Sequence, residues 1–103
     1  MTPDCIRALY DIPSPDEVAQ SYDSDPANTI GVFESGSIYI PKDLDKFFNK
    51  FAPEVPQGTR PKLDSIEDAN LKLNRTTRIF AGEANIDLDI MYSLVYPQTV
   101  TYV

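Results

Sequence analysis

The chain contains no histidine. That excludes imidazole-based catalysis and any histidine-ligated metal site within it. Basic residues are scarce, nine Lys+Arg against sixteen Asp+Glu, for a net charge of -7. A nucleic-acid binder needs the opposite balance to neutralise phosphates. There is one cysteine, Cys5, so no disulfide can close within the chain. Two readings of Cys5 stay open: a small buried hydrophobe, or a bridge to another chain. No run approaches the ~20 apolar residues that span a bilayer. The opening Met1-Thr2-Pro3-Asp4 lacks a basic stretch followed by an apolar one, so no signal peptide is expected there. What is present, 42% hydrophobic and 24% charged residues over 103 positions, suits one globular domain rather than a disordered tail.

Four glycines and nine prolines punctuate the chain, and they divide it into alternating elements. Cys5 to Tyr10 reads as a short helix capped by Asp4 and ended by Ile12-Pro13-Ser14-Pro15. A polar, acidic loop follows to Asn28, with a turn of helix at Asp16 to Ala19. Thr29-Ile30-Gly31-Val32-Phe33 is a short apolar run between turn residues, as a buried strand requires. Pro41 suits a helix start, and Leu44, Phe47, Phe48 and Phe51 form one apolar stripe that Pro53 stops. Lys62 to Ile66 reads as a second strand, followed by a polar connector from Glu67 to Arg78. That connector holds Asn74-Arg75-Thr76, a possible glycosylation acceptor. A helix from Gly82 or Glu83 to about Tyr96, closed by Pro97, leads to a strand from Thr99 to Val103.

Strands alternating with helices predict an α/β fold with a parallel sheet. Parallel sheets need both faces covered and their edges protected. Three strands and two substantial helices supply only part of such a layer, and the last strand is left without an evident neighbour. The chain therefore reads as a portion of a larger domain.

The segment Gly82 to Tyr92 carries the chemistry. At roughly 100° per residue, Ala84, Ile86, Leu88, Ile90, Met91, Leu94 and Val95 fall in one broad apolar arc, with Asn85, Asp89, Tyr92, Ser93 and Tyr96 opposite. Asp89 is then an ordinary solvated acid, whereas Glu83 and Asp87 sit inside the apolar arc one turn apart. Burying a carboxylate is costly unless it is paired or hydrogen-bonded, and two acids at this spacing repel one another. Both acids can cap or salt-bridge at the first turn of the helix, whose dipole favours them. Alternatively they are two carboxylates tuned apart for acid–base work. A calcium site is a third option, for which two side chains offer too few oxygens.

Several segments together resemble the sedolisin (serine-carboxyl peptidase) family, in particular its fungal tripeptidyl-peptidase-like members. These are Thr2 to Tyr10, the Ile30-Gly31-Val32-Phe33-Glu34 strand, the Pro41…Asp43-Leu44…Phe47-Phe48 helix, Leu63-Asp64-Ser65-Ile66, and Gly82-Glu83-Ala84-Asn85-Ile86-Asp87, in that order. The last is similar to the family's Glu-x-x-x-Asp catalytic motif. The resemblance implies the N-terminal portion of a subtilisin-like parallel-sheet domain, incomplete without a second chain. It implies a Ser-Glu-Asp triad working in acid, with Glu83 as general base and Asp87 orienting it and helping to hold the proton. A carboxylate can still accept a proton in acid where a free imidazole is already protonated, which suits a chain without histidine.

The family's Gly-Thr-Ser nucleophile, oxyanion-hole Asp and calcium site all lie downstream of the matching segments. Ser35, Ser37 and Ser93 lack the nucleophile's setting and read as loop or surface hydroxyls. By resemblance, then, calcium belongs to the complete domain outside this chain, and a second polypeptide, left by proteolytic nicking, supplies the serine. The resemblance also implies peptide substrates, with release of tripeptides from unblocked N-termini preferred over endopeptidase cleavage. The expected location is extracellular or an acidic vacuolar or lysosomal compartment. The rival reading is a non-catalytic acidic interaction module or a silent relative that has lost its serine. A two-carboxylate glycosidase fits poorly, because its acids must flank a bond from opposite sides.

Overall fold

The computed structural model describes residues 1–21, 25, 27–66 and 81–103. Asn74 and its triplet lie outside the described residues. Among the described residues seven elements follow one another: α1 (Pro3–Tyr10), α2 (Pro15–Ser21), β1 (Ile30–Val32), α3 (Pro41–Phe51), β2 (Lys62–Leu63), α4 (Gly82–Val95) and β3 (Val100–Tyr102). The α/β alternation is as the sequence predicts. Helix α1 starts earlier, because Thr2 and not Asp4 is its cap. The Thr2 hydroxyl accepts the Cys5 N–H at 3.3 Å, Pro3 occupies the first turn, and Asp4 adds its charge to the positive end of the helix. Cys5 itself is exposed, with its thiol 3.2 Å from the Thr2 hydroxyl, so it is not a core residue. Helix α2 opens on a capping box. The Glu17 N–H donates to the Ser14 hydroxyl, and Glu17 Oε2 accepts the Ser14 N–H at 2.7 Å.

The three strands form one parallel sheet in the order β1-β3-β2, with Ile30 opposite Val100 and Lys62 opposite Thr101. This corrects the expectation for the last strand. It is central, paired on both sides, and among the described residues β1 and β2 are the outer strands. Beyond β1 the ladder continues as Val103 N–H donates to Val32 O at 2.8 Å and Glu34 N–H to Val103 O at 3.0 Å. Those two bonds fix where the chain leaves the sheet.

Helix α3 supplies the centre of the core. Its stripe buries Leu44 and Phe48 completely, and Ala52 and Val55 extend the cluster beyond the helix toward Leu88 and Tyr92 of α4 and Val32 and Val100 of the sheet. Full burial of each large side chain contributes about 1.5–3 kcal/mol. The Phe48 and Tyr92 rings meet edge to face, their centroids 5.9 Å apart. On α3, Asp45 accepts hydrogen bonds from both terminal nitrogens of the Arg60 fork, at 2.8 and 2.7 Å, and from the Gly58 N–H at 2.9 Å. These bonds hold the Asp45 carboxyl down at about 2. Gly58 has a φ of +87°, which a side chain would strain. At the other end of the layer the buried Arg7 guanidinium donates to the carbonyls of Pro13, Ser93 and Leu94. It thereby satisfies the C-terminal carbonyls of α4 and ties α1 to it.

Candidate active site

Helix α4 is the element on which the site depends, and it seats differently from the sequence expectation. The side it packs inward carries Ala84, Leu88, Tyr92 and Ser93, all buried. Leu88 is 0% exposed and Ile86 57%. Glu83 and Asp87 accordingly lie on the open side, and Asp89 is half-buried. The reason is composition. The helix is apolar around most of its circumference, so no single stripe dictates which side meets α3. Polar groups settle it. Asn85 Oδ1 accepts the Ile40 N–H at 2.7 Å, and its Nδ2 lies 3.4 Å from Asp43 Oδ2. Since α3 has no side chain of its own at the cap, Asn85 reaches over from α4 to bind the backbone there.

On the open side of α4, a groove of about 580 Å³ runs between the helix and β1. It is lined by Gly31, Val32, Phe33, Ile86, Asp87, Ile90, Met91 and Leu94. Asp87 lines the groove, with Glu83 one turn before it on α4 and Glu34 at the end of β1, where the extended ladder holds it. Asp87 and Glu83 both lie close enough for their charges to bear on Glu34. Desolvation first, then its side-chain interaction with Asp87, then repulsion by Glu83 and Asp87 push the Glu34 carboxyl from 4.5 up to about 7. Glu34 therefore keeps its proton closer to neutrality than an ordinary carboxyl.

The structure therefore brings Glu83 and Asp87 together as the spacing predicts, on the open side and not the packed one. Sequence reasoning missed the third acid, Glu34. A signal existed. Glu34 directly follows an apolar strand, and the carboxyl ends of parallel strands are where α/β sheets bind ligands. Among the hydroxyls, Ser93 is not on the surface. It is buried and donates to the Asp89 carbonyl at 2.6 Å. Among the described residues no three or more metal-ligating side chains gather as a metal cage.

The chain is 41% identical over 101 residues to aorsin of Aspergillus oryzae, and 38% identical over 102 residues to tripeptidyl-peptidase SED1 of Arthroderma otae. It is 36% identical over 100 residues to tripeptidyl-peptidase sed1 of Aspergillus fumigatus. The chain belongs to the sedolisin family. The first two alignments cover 98% of this sedolisin sequence and the third 95%, but each covers about 14% of the relative. It is thus the counterpart of a small part of a larger peptidase. No family model matches the chain, and no solved structure matches it. No described helix is long and apolar enough to cross a membrane.

Proposed function

We propose that this sedolisin segment is the N-terminal part of a serine-type peptidase domain, and that it supplies the acid–base half of a Ser-Glu-Asp triad. The observation that supports this reading is Asp87 lining the groove, with Glu83 one turn away on the open side of α4 and Glu34 near enough for both charges to raise its carboxyl. Glu83 takes the proton from the hydroxyl of a serine outside this chain as its oxygen attacks the peptide carbonyl. The same proton passes to the leaving amine as the acyl-enzyme forms, and water then repeats the sequence to free the acid. Asp87 orients Glu83, and Glu34 gives the group a place to keep a proton. A carboxylate base suits turnover in acid. Tripeptide release from free N-termini is the specificity we assign, by analogy with the two tripeptidyl-peptidase relatives.

The remainder of the protein has two tasks in this reading. It contributes the nucleophile, and it covers the outer edge of β1 together with the exposed Phe33 and Ile86. Calcium belongs to that remainder, and secretion or an acidic compartment is the matching location. The test is Glu83→Gln in the full-length protein, assayed for peptide hydrolysis in acid. Loss of turnover is expected, and wild-type turnover would remove the role. If the chain were instead a non-catalytic module, it would purify as a folded, isolated species without a larger serine-bearing partner.

A further inference from the structure

The opposite side of α4 holds an acid that the proposed reaction does not use. Asp89 is half-buried between α4 and its neighbours, and its Oδ1 is buried with no hydrogen-bond partner among the described residues. An unpaired buried carboxylate oxygen is costly when charged and far less so when protonated. The surroundings withhold compensation. From α3, the charge that bears on it is that of Asp43, another acid. Lys46 of α3 lies 3.8 Å from Asp43 and is itself well exposed. From α1, Arg7 directs its guanidinium to the carbonyls of Pro13, Ser93 and Leu94 instead. On α4 itself, the Ser93 hydroxyl binds the Asp89 main-chain carbonyl and not its carboxylate.

We propose that Asp89 is a proton-operated latch between α3 and α4. Protonated, it lets α4 seat against α3; ionised, its unpaired oxygen and the Asp43 charge loosen that contact. Burial, followed by the Asp43 charge, moves its carboxyl from 3.8 up to about 7. The sign follows from linkage. The folded state holds this proton over a pH range in which the unfolded chain has lost it. The stabilisation is fully present below the ordinary carboxyl value and disappears as pH rises through about 7. The latch is independent of the peptidase reading, since Asp89 touches none of the three acids at the groove.

The experiment is thermal unfolding of the full-length protein at about pH 5 and about pH 8, wild type against Asp89→Asn. Asparagine keeps the shape of the protonated acid but does not titrate. The variant is expected to match the wild type in acid and to unfold at a higher temperature than the wild type at the alkaline end. Equal pH dependence in the two proteins would overturn the latch. A measurement on the wild type alone guards against a variant that fails to fold. The ¹³C carboxyl resonance of Asp89 should titrate near neutrality and move to lower pH in Asp43→Asn. Titration in the ordinary carboxylate range in the wild type would equally overturn it.

Discussion

The two sides of helix α4 carry acids of the same kind two positions apart, Asp87 and Asp89, and put them in opposite circumstances. Asp87 is exposed at the rim of a groove, one turn from Glu83 and close enough for its charge to bear on Glu34. Asp89 is half-buried, and its Oδ1 has no hydrogen-bond partner among the described residues. On the first side, the charge repulsion helps Glu34 to keep its proton. On the second, the same repulsion, now from Asp43, weighs on the packing of the helix. A carboxylate's place in the sequence does not reveal its role; the neighbours that other elements bring to it do.

That contrast can be broken or sharpened by substitution. The largest stability effect is expected on the packed side, where Leu88→Ala should cost about 2–5 kcal/mol in unfolding free energy. On the open side, Ile86→Ala tests whether the remainder of the protein covers the groove. In the full-length protein it should cost roughly 1–3 kcal/mol if that side is buried there, and no more than ~0.5 kcal/mol if it stays in water. Denaturant titrations of the two variants decide this.

A smaller, electrostatic effect is expected from Asp87→Asn. It removes one of the neighbouring charges that raise Glu34, so the Glu34 carboxyl should titrate below its present value of about 7. The sign for stability matches that of Asp89: what protonation of Glu34 contributes is present below about 4.5 and disappears as pH rises through about 7. Carboxyl NMR of Glu34 in the variant reads the shift, and an unchanged midpoint would remove Asp87 as a cause. The smallest effect belongs to Lys46→Ala. Its exposed contact with Asp43 at 3.8 Å is of the kind that contributes at most ~0.5 kcal/mol, measurable as a near-null change in unfolding midpoint.

Much of the fold is legible in the residues. Leu44, Phe47, Phe48 and Phe51 between two prolines leave little choice about α3, and short β-branched runs mark β1 and β3. Strand order is not legible, because pairing β3 between β1 and β2 depends on contacts between distant segments that no local pattern encodes. The pair Glu83 and Asp87 is legible from spacing. Their exposure is not, because α4 is apolar on both sides, and the choice of packed side falls to Asn85 and the bare cap of α3. The sequence passes over Glu34 and reads Asp89 as solvated for one shared reason. Each takes its character from burial first and then from a neighbour on a different element, Asp87 for Glu34 and Asp43 for Asp89.

The most direct test of the division between the two sides is one variant measured twice. Glu83→Gln in the full-length protein should lower peptide turnover in acid by about 10²–10⁴-fold, the usual contribution of a general base. Its unfolding free energy should stay within ~0.5 kcal/mol of wild type, as for an exposed substitution. Turnover within a few-fold of wild type, or a loss of activity that merely follows a loss of stability, would contradict the assignment of chemistry to the open side of α4.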